Sequence, residues 1–317
     1  MRMFNPLFTL FLGALVCLLP TAPALAQASN TFVSAATGSD SNDCSTIATP
    51  CLHFQAAVNA TAVGGVVAAL DPGDYGPITI SHAITIEGQN WSYITPPLYE
   101  TAITINAAAG DTIKIRGVSL DGADAAIVGI NFSSGSRLEI IDCVVSDFTN
   151  NGIIVYSATA MSLLISKTIV RDTSVSISLN ANASGATISG VIDEVTVGNS
   201  GDVFAGAFYA PLQLSIANSH IDDTASSSTA VDIFGSAANA TSTVILKNVT
   251  LTRDFYAVVL GGNANVYLSH VTQTTPPGFT SSAGVLFLNS NDAAFSDGTN
   301  HFGGVISGGT LSPWPPQ

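Results

Sequence analysis

Three nine-residue segments decide the fold: IKIRGVSLD (Ile113–Asp121), LEIIDCVVS (Leu138–Ser146) and LLISKTIVR (Leu163–Arg171). Each begins 25 residues after the one before it, and each places aliphatic side chains two positions apart. Alternation with a period of two is typical of a β-strand and not of a helix. The segments therefore predict short strands that recur once per repeat.

The repeat extends beyond these segments. Ile103, Val128 and Ile153 have the same spacing, and so do Ile105, Ile130 and Val155. One unit could not bury its apolar side alone, but stacked copies about 4.8 Å apart would form continuous aliphatic ladders. We predict an all-β fold, a right-handed parallel β-helix of about nine coils. Lys114 and Glu139 then stack as an outward, exposed ion pair.

The chain divides into four predicted parts. Residues 1–26 have the pattern of a secretory signal peptide, with cleavage near Ala26–Gln27, which places the protein in the periplasm or outside the cell. Residues 27–63 hold a first strand, a disulfide loop and a capping helix over 54–62. Residues 64–300 form the β-helix, and residues 301–317 form a tail whose prolines cannot continue a strand. No later segment is apolar enough to span a membrane.

The cysteines fit an oxidising compartment. Cys44 and Cys51 enclose a short loop rich in turn-forming residues, and we predict a disulfide between them. Cys143 stays unpaired. No base or cation stands beside it in the sequence, so we interpret it as a small buried hydrophobic residue and not as a reactive thiol.

Charge excludes one class of partner. The chain has 8 Lys and Arg against 22 Asp and Glu, a formal net charge of −14. Binding to phosphate backbones needs a basic patch, so a nucleic-acid partner is not expected.

The segment Thr31–Gly88 combines a Gly-Ser-Asp loop, a short helix, Gly-Gly before an apolar strand, Pro-Gly-Asp-Tyr and an I-T-I-E-G strand. This order resembles the opening of secreted bacterial right-handed β-helix proteins of the pectin-lyase-like superfamily. The resemblance implies the fold. It does not fix an activity, because that superfamily contains lyases, hydrolases, adhesins and phage tail proteins.

One row of acidic residues is the candidate site. Asp147 and Asp172 are one period apart at a predicted corner between strands, with Arg171 beside them. Later corners repeat the pattern with Asp222, Asp223, Arg253 and Asp254. In a calcium-dependent polysaccharide lyase, Asp147, Asp172, Asp222 and Asp223 would hold Ca²⁺, and Arg171 or Arg253 would act as base or bind uronate. The alternative is that aspartate caps these turns without further function, and this alternative is favoured.

Exposed aromatic residues would offer a second kind of carbohydrate site. Phe204, Phe208, Tyr209, Phe255 and Tyr256 could stack on sugar rings, although packing against the β-helix is the favoured interpretation. No catalytic residue, cofactor or metal is assigned, and Ca²⁺ enters only with the lyase alternative. The sequence thus favours a non-catalytic surface or structural protein that binds extracellular carbohydrate, with a calcium-dependent polyuronate lyase as the alternative.

Overall fold

The structure is a computed structural model, and it describes residues 27–181, 183, 185–200, 202–205, 211–223, 229–235, 241–252, 256–274 and 283–314. Its first half contains one helix and twelve strands: β1 (Ala28–Val33), α1 (Phe54–Ala60), β2 (Thr61–Ala69), β3 (Gly73–Asp74), β4 (Ile78–Ile80), β5 (Ile84–Ile94), β6 (Thr101–Asn106), β7 (Thr112–Asp121), β8 (Val128–Ser134), β9 (Arg137–Ile141), β10 (Val144–Ser157), β11 (Ala160–Ser166) and β12 (Ile169–Ala181).

Thirteen further strands follow in the described residues: β13 (Thr187–Asp193), β14 (Thr196–Ser200), β15 (Asp202–Ala205), β16 (Leu212–Ala217), β17 (His220–Asp223), β18 (Thr229–Phe234), β19 (Ser242–Thr252), β20 (Tyr256–Gly261), β21 (Ala264–Thr274), β22 (Ala283–Phe287), β23 (Ala293–Ser296), β24 (Val305–Ser307) and β25 (Leu311–Pro313). All of the strand pairings are parallel, and they build a solenoid of about eight turns where the sequence predicted about nine. The predicted parallel β-helix is confirmed.

The strands stack on three faces. Face A contains β1, β2, β9, β11, β13, β16, β23, β25 and the first halves of β5, β7, β19 and β21. Face B contains β3, β14, β17, the second halves of β5, β7, β19 and β21, and the first halves of β10 and β12. Face C contains β4, β6, β8, β15 and the second halves of β10 and β12, followed by β18, β20, β22 and β24.

The interior is filled by the predicted aliphatic ladders. On face A, Ile113 pairs with Leu138 and Leu138 pairs with Leu163, and all three side chains are buried. Stacking buries each inward side chain against the coils on either side, and burial of one such residue contributes about 1.5–3 kcal/mol. At the N-terminal end, α1 covers the first coil with Phe54, Ala57 and Val58, as the sequence predicted for this segment, although Thr61 already belongs to β2.

From the coil of β7 onward, faces A and B meet at a corner of constant length. A single residue turns the chain there with a positive φ in successive coils, namely Gly117, Asp142, Lys167, Glu194, Asn218, Asn248 and His270. Gly117 is also required by space, because a Cβ there would lie 2.7 Å from the backbone nitrogen of Asn90. On face A the predicted period holds from Ile113 through Leu138 to Leu163, and it ends at the next pairing, which joins Leu163 to Gly190.

The corner between faces B and C varies in length, and one predicted register is wrong. Val128 pairs with Thr101 and Asn151, and Ile130 takes the predicted place of Val128 between Ile103 and Ile153. The reason is two additional residues in the turn that follows Asp121. A slip of two residues keeps every side chain on its own side of the strand, so the core is preserved.

The C-terminal tail also differs from the expectation. Ala294, Phe295 and Ser296 pair with Leu311, Ser312 and Pro313, so the tail adds a strand despite its prolines. Proline has no backbone N–H to donate. It is tolerated there because the strand lies at the end of the described stack, where no further described strand needs a donor at that position.

Candidate ligand-binding surface

The predicted acidic row lies at the corner between faces B and C. Asp147 and Asp172 occupy equivalent positions in adjacent coils, and both have a positive φ. The Arg171 guanidinium forms an ion pair with Asp172 and lies 4.0 Å from the Asp147 carboxylate. Asp172 also accepts a hydrogen bond from the side-chain amide of Asn199 in the next coil. The structure thus brings Asp147, Asp172 and Arg171 together, with their charges partly compensated.

The remaining residues of the predicted row are less close. Asp222 is in register with Gly198, which is itself in register with Arg171, and its carboxylate accepts a hydrogen bond from Thr252 at 2.9 Å. The side chain of Asp223, and Arg253 and Asp254 entirely, lie outside the described residues. Within the described part of the chain, no three His, Cys, Asp or Glu side chains are grouped so as to hold a metal ion. A calcium site remains a prediction from the sequence.

A cationic cluster on face A is formed by Lys114, Arg116 and Arg137. It surrounds Glu139, whose Oε1 accepts a hydrogen bond from Arg137 Nε at 2.6 Å. Oε2 of Glu139 lies 3.5 Å from Lys114 Nζ and 3.8 Å from Arg116. Arg116 also pairs with Glu87 of the preceding coil at 3.5 Å.

This cluster corrects one expectation from the sequence. Lys114 and Glu139 are stacked neighbours as predicted, but Glu139 is only 6 % exposed and is not a surface carboxylate. Burial alone would raise the pKa of Glu139, but the Arg137 hydrogen bond and the charges of Lys114 and Arg137 outweigh it and lower that pKa below its ordinary value. Glu139 therefore stays ionised and fixes the three cations around it.

An aromatic strip lies on the outside of the coil that contains β5. It consists of Trp91, Tyr93, Leu98 and Tyr99, which are 45 %, 44 %, 59 % and 72 % exposed. Trp91 and Tyr93 share the outward side of β5, because Ser92 and Ile94 between and after them are buried. The loop that follows β5 carries Leu98 and Tyr99, and its backbone is held by the hydrogen bond from Tyr99 N to Ala125 O.

Sequence reasoning did not single out this strip. Trp91 follows Gln89 and Asn90, which both have positive φ and widen the corner between faces A and B. Because of this irregularity, Trp91 and Tyr93 do not follow the 25-residue period. The available signal was a pair of aromatic residues on either side of the small Ser92, followed by Pro96 and Pro97. Of the predicted aromatics, Tyr256 is half-buried, and Phe208, Tyr209, Phe255 and the side chain of Phe204 lie outside the described residues.

The cysteines behave as predicted. A disulfide joins Cys44 and Cys51, and hydrogen bonds between Phe32 and both of these residues fix the loop to β1. Cys143 is 2 % exposed, and burial raises the pKa of its thiol to about 11. No helix among the described residues is long and apolar enough to cross a membrane.

Solved structures share this fold at low sequence identity. Pectate lyase Pel9A is similar with a TM-score of 0.59 and 14 % identity over 91 % of this chain and 78 % of that one. ORF18 of Geobacillus virus E2 has a TM-score of 0.53 and 12 % identity, over 78 % of this chain and 57 % of that one. No family model and no curated protein matches the sequence. The chain therefore has the fold of the pectin-lyase-like parallel β-helix proteins.

Proposed function

We propose that the protein is an extracellular, non-catalytic β-helix protein that binds carbohydrate through the aromatic strip. The observation that carries this proposal is the exposure of Trp91, Tyr93 and Tyr99 on one coil. Aromatic rings present a flat apolar face and a polar edge, which suits the apolar faces and hydroxyl groups of a sugar ring. Exposed apolar patches on soluble proteins commonly mark binding sites.

Two further observations support the class of ligand and the location. One structural neighbour is named a pectate lyase, so a chain of this fold acts on a polysaccharide. The Cys44–Cys51 disulfide fits an oxidising compartment, as does the signal peptide predicted for residues 1–26.

The state of Arg171 supports the non-catalytic role. Its guanidinium is paired with Asp172 and lies close to Asp147, and an arginine held by carboxylates is a poor proton acceptor. The lyase alternative would need the side chain of Arg171 to be released, or it would use Arg253, which lies outside the described residues.

Affinity gel electrophoresis with soluble polysaccharides, neutral and acidic, tests the proposal. At least one polysaccharide should retard the wild-type protein, and Trp91→Ala should weaken retention about tenfold, as for the loss of one aromatic hot-spot residue. Tyr156→Ala is the matched control, because Tyr156 is an aromatic of similar exposure, 40 %, on face C. Failure of every polysaccharide to retard the protein, or equal losses in both variants, would refute the role of the strip.

Catalysis is tested on the same samples. Formation of unsaturated product, followed by ultraviolet absorbance, should be absent from every polysaccharide that is retained. Absorbance that appears with Ca²⁺ and disappears with a chelator would replace the binding role by the lyase alternative.

A further inference from the structure

We propose that the ligand of the aromatic strip is an acidic polysaccharide and that the cationic cluster of Lys114, Arg116 and Arg137 binds its anionic groups. This inference rests on the proposed carbohydrate-binding function and adds the chemical class of the ligand. Carboxylate and sulfate groups offer the same chemistry to such a cluster, since both present oxygen acceptors to ammonium and guanidinium donors.

The cluster borders the strip. Arg116 pairs with Glu87, which lies four positions before Trp91 in the same coil. Asn90, directly before Trp91, is packed on Gly117, directly after Arg116. Trp91 and Arg116 therefore lie on either side of the corner between faces A and B, in consecutive coils, and one extended sugar chain can contact both.

The cluster has unused binding capacity. Its three cations surround two carboxylates, those of Glu87 and Glu139, so the group carries a net charge of +1. Together, one lysine and two arginines offer about thirteen N–H donors, far more than two carboxylates engage. The side chains of Lys114, Arg116 and Arg137 are 36 %, 40 % and 45 % exposed, so part of each remains open to a ligand.

The position of these charges is informative because cations are scarce. The whole chain has 8 Lys and Arg and a net charge of −14, yet three of the eight lie together on two neighbouring coils. An anionic ligand is repelled by the molecule as a whole, but charges more than about 8 Å away are largely screened at physiological ionic strength. Local attraction by the cluster then decides where such a ligand binds.

The test uses three probes with one backbone: hydroxyethyl cellulose, carboxymethyl cellulose and cellulose sulfate, at 0.15 M salt. The wild-type protein should bind the carboxylated or the sulfated form at least about tenfold more tightly than the neutral form. The double variant Lys114→Gln, Arg116→Gln should bind all three forms with the affinity of the neutral one. Lys167→Gln with Lys247→Gln is the matched control, because both lysines are exposed and lie outside the cluster, and it should change nothing.

The outcomes separate this inference from the proposed function. Equal affinity for neutral and charged forms, or equal losses for all forms in the double variant, would overturn the inference and leave carbohydrate binding intact. Absence of binding to any polysaccharide would refute both. If the double variant does not fold, the single variant Lys114→Gln replaces it and should weaken binding of the charged forms but not of the neutral form, because it removes one of the three cations, which pairs with Glu139 at 3.5 Å.

Discussion

The ammonium of Lys114 lies 3.5 Å from the carboxylate of Glu139, and the two residues are paired neighbours on adjacent coils of face A. The contact joins residues one repeat apart in the sequence. It also belongs to a group of charges in which the acid is buried and the cations are half-exposed. The same side chains therefore stabilise the fold, through Glu139, and are exposed enough to bind a ligand.

Replacing Glu139 by Gln should destabilise the protein by about 1–3 kcal/mol, because three cations lose their shared carboxylate. The folded-state pKa of Glu139 is lowered, so its contribution is present above the ordinary value of 4.5 and is lost as the pH falls through the lower folded-state pKa. Urea unfolding at pH 7 and at pH 3 measures this. The difference between wild type and Glu139→Gln should shrink at pH 3, and a difference independent of pH would contradict it.

The Cys44–Cys51 disulfide should stabilise the chain by about 2–3 kcal/mol, since it closes a short loop in the unfolded state. Thermal melting of the wild-type protein should therefore shift downward on addition of a reductant. The double variant Cys44→Ala, Cys51→Ala should melt near the reduced wild type and should not respond to the reductant. A reductant effect that persists in the double variant would assign the shift to another group.

Cys143 should be unreactive in the folded protein. Its thiol is buried and its pKa is raised to about 11, so at pH 8 the thiolate is about a thousandth of the population. Alkylation followed by peptide mapping should find Cys143 unmodified without denaturant and fully modified in urea. Rapid modification of the folded protein would place the thiol at the surface.

The acidic row should not bind calcium strongly, because Arg171 and Asn199 already engage its carboxylates. Calcium at about 100 times its Kd would stabilise the protein by about 2.7 kcal/mol and raise Tm by several degrees. We expect no such rise. Asp147→Asn and Asp172→Asn are suitable controls, since asparagine also accepts the positive φ at both positions. A rise in Tm that these variants remove would establish a calcium site.

How far the sequence predicted the fold depended on the corners. Ile113, Leu138 and Leu163 revealed face A because the coils between them have equal length, with a single residue of positive φ at each corner between faces A and B. Val128 was placed two residues out of register because the turn after Asp121 is longer than its counterparts. A search for a constant period does not detect a local insertion of two residues, because such an insertion preserves the alternation of inward and outward side chains.

The candidate site was less predictable than the fold. The sequence predicted that Asp147, Asp172 and Arg171 lie close together, and they do, because they follow the period. It did not predict the burial of Glu139, since the periodicity gives the direction of a side chain but not how far neighbouring cations cover it. Trp91 escaped notice because it follows a widened corner whose positive φ values occur at ordinary residues and not at glycine.

Binding at the aromatic strip is tested most directly by the fluorescence of Trp91. The chain has two tryptophans, and the other, Trp314, lies at the opposite end of the solenoid, where its ring contacts Tyr267. In the variant Trp314→Phe, the emission therefore reports on Trp91 alone. Added carboxymethyl cellulose should shift this emission to shorter wavelength and protect it from acrylamide quenching, and both changes should be half-complete at the Kd found by gel retention. If the polysaccharide retards the protein in the gel but changes neither the emission of Trp91 nor its quenching by acrylamide, binding at the strip is contradicted.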